Sequence, residues 1–190
     1  MKQSLFTMEH ARQLTADTYE LVLSGDTSAI TAPGQFVNIQ LPGKFLRRPI
    51  SICNWTKDAL LLLVRVVGEG THDLVRCVPG TELDVLSGLG NGFDLAKGGA
   101  HPILLGGGIG IAPLYGLAQR MLEAGIAPTV GLGFRSGGDA FYLEEFGKLG
   151  CRLMVATEDG SLGTKGFVTD LARHVPECGY AFVCGPTPML

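Results

Sequence analysis

Four short segments of this 190-residue chain carry residue types whose spacing could do chemistry. The first, Arg47-Arg48-Pro49-Ile50-Ser51, sits where an apolar strand begins. Proline fixes its own φ and so aims its neighbours, an arginine can hold a phosphate through two parallel hydrogen bonds, and a serine hydroxyl can bond a ring nitrogen. Taken alone, such a pattern is more often an exposed charge pair ahead of an edge strand. The second, Leu63-Val64-Arg65-Val66-Val67-Gly68-Glu69-Gly70-Thr71, reads as a strand, a glycine turn and a helix start. Free amides and the positive end of the helix dipole at Gly70-Thr71 would stabilise a pyrophosphate. The plainer reading is a turn made by Gly68 and Gly70, with Thr71 as a helix cap.

The third segment, Leu104 to Pro113, holds glycine at 106, 107, 108 and 110. Each glycine costs about 0.5–1 kcal/mol of chain entropy, so this is more than a tight turn needs and reads as a nucleotide loop. It departs from the dinucleotide fingerprint, because Ile111 stands where a third glycine is expected and no acidic ribose ligand follows at the usual distance. A generic Rossmann dehydrogenase is therefore disfavoured. The fourth, Phe182-Val183-Cys184-Gly185-Pro186-Thr187-Pro188-Met189-Leu190, is a strand that delivers a small polarizable thiol to a turn and a helix start. Ligands bind at such a sheet edge, although an isolated cysteine is usually a small buried hydrophobe.

The elements that must position these segments change rhythm along the chain. Up to about Leu95 the apolar residues come in short runs, Tyr19 to Leu23, Phe36 to Leu41, Ile50 to Cys53, Leu60 to Val67 and Glu82 to Leu86, punctuated by turn residues. That spacing predicts a small antiparallel barrel or sandwich. One helix interrupts it, capped by Thr71 and running through Asp73 to Arg76 before Pro79-Gly80. Lys97-Gly98-Gly99-Ala100 marks the expected boundary. Beyond it strands (103–105, 129–134, 152–156, 181–184) alternate with helices (113–124, 141–149, 168–174), which predicts an open, doubly wound parallel sheet.

Composition narrows the function further. With 46% hydrophobic and 17% charged residues the chain can bury a sizeable core. A net charge of -3 and no basic run beyond Arg47-Arg48 argue against nucleic acid. No segment reaches the ~18 apolar residues of a membrane span, and a cytoplasmic location is expected. The five cysteines, Cys53, Cys77, Cys151, Cys178 and Cys184, are scattered, which disfavours a disulfide framework or a closed metal site. His10, His72, His101 and His174 lack ligand spacing, and Asp159 and Asp170 are read as setting a turn and a helix end.

Together, in this order, the four segments resemble the ferredoxin-NADP reductase superfamily over essentially the whole chain. Arg48-Pro49-Ile50-Ser51 corresponds to its Arg-x-Tyr-Ser flavin motif, with Ile50 in place of the aromatic residue. Finer details resemble the electron-transfer subunits of class B dihydroorotate dehydrogenases: Leu-Arg-Arg-Pro-Ile-Ser-Ile, Gly-Glu-Gly-Thr, Gly-Leu-Gly-Asn-Gly-Phe at 88–93, Asp159-Gly160-Ser161 with Gly166 to Asp170, and Cys-Gly-Pro-Thr-Pro-Met-Leu.

That resemblance implies an antiparallel six-stranded FAD-binding barrel over residues 1–98 and an open parallel-sheet NAD-binding α/β domain over 99–190. FAD would be bound by Arg48, Pro49, Ile50, Ser51, Leu63, Val64, Arg65, Gly70 and Thr71. The nicotinamide nucleotide would be bound by Gly106, Gly107, Gly108, Gly110, Gly185 and Pro186, with Ser51 and Cys184 nearest the reacting atoms. It implies hydride exchange between nicotinamide and flavin, and an FMN-containing dihydroorotate dehydrogenase catalytic subunit as partner in a heterotetramer. The family also carries a 2Fe-2S cluster on four cysteines in a C-terminal tail that nothing here matches, so the chain is expected to stop short of that tail. Rival readings are a related transhydrogenase or sulfide dehydrogenase subunit, or a non-catalytic flavin- or nucleotide-binding domain. NAD and NADP are left open by Arg135-Ser136, where an arginine could meet a 2′-phosphate.

Overall fold

A computed structural model describes Met1–Met189 and divides the chain into two compact units, Met1–Gly92 and the residues from Phe93 onward. The first is a closed barrel of six strands: β1 (Lys2–Gln13), β2 (Thr18–Gly25), β3 (Phe36–Gln40), β4 (Arg48–Trp55), β5 (Ala59–Arg65) and β6 (Glu82–Leu89). Around the barrel the order is β1-β2-β5-β4-β3-β6, with every pairing antiparallel. Side chains alternate across each strand, so Val37 and Ile39, Ile50 and Ile52, and Leu60, Leu62 and Val64 fill the interior. β1 closes the barrel yet is not among the apolar runs of the sequence. Of its twelve residues only Phe6 and Met8 are buried, so its alternation is too short to stand out.

The helix after β5, α1 (Glu69–Val75), starts earlier than expected. Thr71 lies inside its first turn and does not precede it. Its hydroxyl accepts hydrogen bonds from the amides of Val67 (2.9 Å) and Gly68 (3.3 Å) and donates to Gly68 O (3.0 Å). Leu74 and Val75 anchor the helix in the barrel core.

The second unit is a wholly parallel sheet, order β10-β9-β8-β7-β11, built from β7 (Pro102–Gly107), β8 (Thr129–Phe134), β9 (Arg152–Thr157), β10 (Thr164–Lys165) and β11 (Tyr180–Cys184). The connections are α2 (Ala112–Glu123), α3 (Leu143–Lys148) and a 3-10 helix, Val168–His174, where the apolar spacing predicts an ordinary helix. Both faces are covered. Leu105 clusters with Val168 and Leu171, while Gly106 looks the other way, toward Ile111 and Leu114. The expected boundary at 97–100 is instead packed into this unit: Leu95–Gly98 is a 3-10 turn, and Gly98 is buried beside Phe182, Pro102 and Met121. No helix among the described residues is long and apolar enough to cross a membrane.

Candidate functional site

The barrel brings its two chemistry-bearing segments to one place. The ladder between β4 and β5 runs from Trp55–Leu60 to Ile52–Leu62 and then stops. Arg48 to Ser51 and Leu63 to Arg65 are the residues just past that end, on neighbouring strands that no longer bond each other. Backbone donors and acceptors released there need another partner. Across the opening lies the start of α1, whose first-turn amides have no acceptor within the helix.

The guanidinium of Arg48 lies over this helix start. A methyl group on Gly70 would collide with its Nε and come within 2.7 Å of Nη2, so only glycine lets the cation settle against the backbone. Arg48 Nη1 also donates to Leu46 O (2.7 Å). Its neighbour has a different task. Arg47 Nη2 donates to Asp84 Oδ2 (2.9 Å) and Nη1 to the carbonyls of Asp84 and Asn38, which ties β3 to β6. Lys44 reaches Glu69 (2.9 Å) and Asp73 (3.2 Å), fastening the loop before β4 to α1.

The remaining predicted residues of this group fall into three classes. Pro49 and Ser51 are exposed on the outer face of β4. Ile50, Leu63 and Val64 are 8%, 2% and 1% exposed, so their side chains belong to the protein interior and only their backbones can meet a ligand. Arg65 donates from Nε to Asp17 Oδ2 (2.7 Å). Burial opposes the Asp17 charge, but the bonds from Arg65, Thr18 and Thr15 outweigh it and hold the carboxyl below the ordinary carboxylate range. Asp17 lines a cavity of about 330 Å³ with Tyr19, Val66, His72, Val75 and Arg76, on the side of α1 that faces β2.

The sheet of the second unit makes a different kind of site. From β7 the chain walks outward through β8, β9 and β10, then returns to lay β11 on the opposite side of β7. The reversal lies between β7 and β11, and ligands of open α/β sheets bind at the carboxyl ends of the strands at such a point. Cys184 pairs with Gly106 there. A methyl group on Gly110 would collide with Cys184 O and stand 2.7 Å from Gly185 Cα, so the loop and the turn touch backbone to backbone. Gly108 has φ +53° and open space where a side chain would be. The missing third glycine also has an explanation. Ile111 and Leu114 pack onto Gly106, 2.7 and 3.0 Å from its would-be methyl, so the close helix–strand approach is obtained from the strand side.

Pro186 and Met189 complete this corner, both against Gly107. Met189 also covers Gly185, a role its sequence position gave no hint of. The chain turns through a 3-10 segment at Thr187–Met189; the helix expected to open at Leu190 lies outside the described residues. Burial pushes the Cys184 thiol up, so at neutral pH it stays protonated and offers a small polarizable surface, not a nucleophile. Beyond β8, Asp139 accepts from Arg135 (3.2 Å) and from Ser136 Oγ (3.0 Å), an acid the sequence reading did not single out.

Several other residues are structural. Asp159 Oδ1 accepts from Ser161 N and Oγ, and Ser161 Oγ in turn accepts from Gly137 N, bracing the loop after β8. Asp170 accepts from Phe167 N at the start of the 3-10 helix. Cys53 is buried in the barrel, and among the described residues no three His, Cys, Asp or Glu side chains gather as metal ligands. These cysteines therefore do not fit an iron–sulfur cluster.

The chain is 42% identical over 198 residues to the "Dihydroorotate dehydrogenase B (NAD(+)), electron transfer subunit" of Shouchella clausii, covering all of this chain and 76% of that protein. It is 40% identical over 198 residues to the protein of the same description from Listeria monocytogenes, covering all of this chain and 77% of the relative. Among solved structures, that of an NADH-dependent reduced ferredoxin-NADP oxidoreductase, studied for flavin-based electron bifurcation, matches 98% of this chain and 69% of its own with TM-score 0.87 and 31% identity. No protein-family profile matches.

Proposed function

Since the chain belongs to the family of dihydroorotate dehydrogenase B electron transfer subunits, we propose that it binds FAD on its barrel and NAD on its sheet and passes electrons between them. The observation that carries this reading is the parted β4–β5 ladder with Arg48 laid over Gly70 at its mouth. A dinucleotide has the parts to fill it. Its pyrophosphate would meet the Arg48 guanidinium and the first-turn amides of α1, and its ring system the freed backbone of 63–65 and the exposed hydroxyl of Ser51. Glycine at 70 leaves the helix start bare of any side chain of its own, and the Arg48 guanidinium that rests there would swing outward to let a phosphate come between cation and backbone.

When bound, the flavin supplies the exchange of a hydride with nicotinamide and the release of electrons one at a time. The chain's part is binding and orientation. Ser51 hydrogen-bonds a ring nitrogen, Arg48 neutralises phosphate, and the Gly106–Gly110 loop lets backbone approach the second nucleotide. Cys184, protonated, packs against it without giving or taking a proton. Asp139 favours NAD over NADP, because its carboxylate at the end of the second strand of the sheet would repel a 2′-phosphate and already engages Arg135. No step is assigned to an iron–sulfur cluster on this chain's cysteines. The physiological acceptor or donor is proposed to be an FMN-containing, dihydroorotate-oxidising catalytic subunit, after the family. Purified chain supplied with FAD should be yellow and should reduce an artificial dye with NADH; a colourless protein without dye reduction would overturn the proposal.

A further inference from the structure

One aromatic side chain outside the four segments stands beside Ser51. Phe36, the first residue of β3, is paired directly with Ser51 of β4 and with Leu89 of β6. Directly opposed residues of an antiparallel ladder project to the same face with Cβ atoms about 4.5–5.5 Å apart. The next pair along, Val37 and Ile50, points into the barrel core, so Phe36 and Ser51 share the outer face. On that face Phe36 is half-buried and Ser51 exposed.

The ring is also held in place. Gly90, with φ +80°, lies against it so closely that a methyl there would be 3.2 Å from two ring carbons. Gln35, only 6% exposed, fixes the turn that carries Gly90: its side-chain nitrogen donates to Gly90 O (3.0 Å) and its Oε1 accepts from Thr31 N (2.8 Å) and Ala32 N (3.2 Å). The Gln35 carbonyl accepts from Ile52 N (3.1 Å), which locks the same residue to β4 one position beyond Ser51. A buried amide with each of these bonds made is a rigid support, and it orients one aromatic ring next to one hydroxyl.

We propose that Phe36 is a positioning residue for the flavin: its ring supplies the apolar aromatic surface against which the isoalloxazine rests while Ser51 bonds a ring nitrogen. This rests on the reading of the barrel as a flavin site. Ile50 and Ile52, the hydrophobic residues on either side of Ser51, are turned into the core and cannot serve. Stacked or edge-on aromatic contacts add to the burial of apolar surface, so loss of the ring should be felt by any ligand that carries an isoalloxazine, with or without an adenylate half.

The test uses the full chain with FAD and, separately, FMN. Phe36→Leu should weaken both flavins by a similar factor, about tenfold. Phe36→Trp should keep affinity and strongly quench the visible emission of bound flavin, because an indole in van der Waals contact donates an electron to the excited ring. A ring that merely wedges the Gly90 turn would leave that emission as in the parent, and this result overturns the inference even where Phe36→Leu fails to fold. Parent protein that binds neither flavin overturns the barrel assignment itself; parent protein that binds both, with unaltered affinity in Phe36→Leu and unaltered emission in Phe36→Trp, overturns only the role of Phe36.

Discussion

The barrel and the sheet each present a glycine whose missing methyl leaves room for a close neighbour, but the two neighbours differ in kind. At Gly70 the missing methyl makes room for a side chain, the Arg48 guanidinium, which is mobile and charged. At Gly110 it makes room for backbone, the Cys184 carbonyl and the Gly185 Cα, which cannot move aside. The first site is assembled from a cation and a helix start; the second from close approach of two turns at a strand reversal. A cradle of the first kind should degrade in steps as parts are removed. One of the second kind should fail at a single methyl.

The largest effect is therefore expected at Gly110→Ala. With hard backbone on the other side, the added methyl must displace the loop, and misplacement of about 1 Å costs about a hundredfold in rate. NADH-dependent dye reduction should fall by that order while FAD content stays as in the parent. Equal loss of flavin and activity would mean that the loop supports the fold and not the nucleotide. Arg48→Ala comes next: a charged hydrogen bond contributes about 1.5–3 kcal/mol, so FAD should bind about 10- to 100-fold more weakly by equilibrium titration. Arg47→Ala should leave FAD affinity near the parent and lower thermal stability, because it strips the partner from Asp84. If the two arginines behaved alike, the division of labour between them would be wrong.

A smaller, pH-dependent effect is expected at Asp84. The hydrogen bond from Arg47, against burial and with help from Gln3, holds its carboxyl below the ordinary range. A group whose folded pKa is depressed contributes stability above its unfolded pKa and loses it as pH falls through the folded value. Asp84→Asn should therefore lower the melting temperature at neutral pH, and the gap from the parent should close in strong acid. A gap independent of pH would assign the loss to packing. Smallest is Asp139→Asn, which removes one partly exposed charge and should raise the NADPH to NADH rate ratio by about two- to fivefold. An unchanged ratio would remove Asp139 from nucleotide discrimination.

Much of this contrast was legible in the residues themselves. Glycine turns, apolar runs and the change of rhythm after the barrel follow from local chemistry, and they picked out the segments that the structure places at the parted β4–β5 ladder and at the β7–β11 reversal. What they could not show depends on register. The end of the β4–β5 ladder at Ile52–Leu62, where the candidate barrel site lies, is a property of two strands together. Arg47 and Arg48 are adjacent and alike in sequence; only the pairing of β3 with β6 decides which one meets Asp84. β1 was hidden because ten of its twelve residues are not buried. Ile111 looked like a missing glycine because the small residue it requires is Gly106, on the strand beneath it.

The most direct test is the position of the FAD pyrophosphate in a crystal of the flavin-loaded chain. It should lie between the Arg48 guanidinium and the amides of Gly70 and Thr71, with the ring system beside Ser51. Phosphates bound elsewhere, with Arg48 still resting on Gly70, would contradict the account.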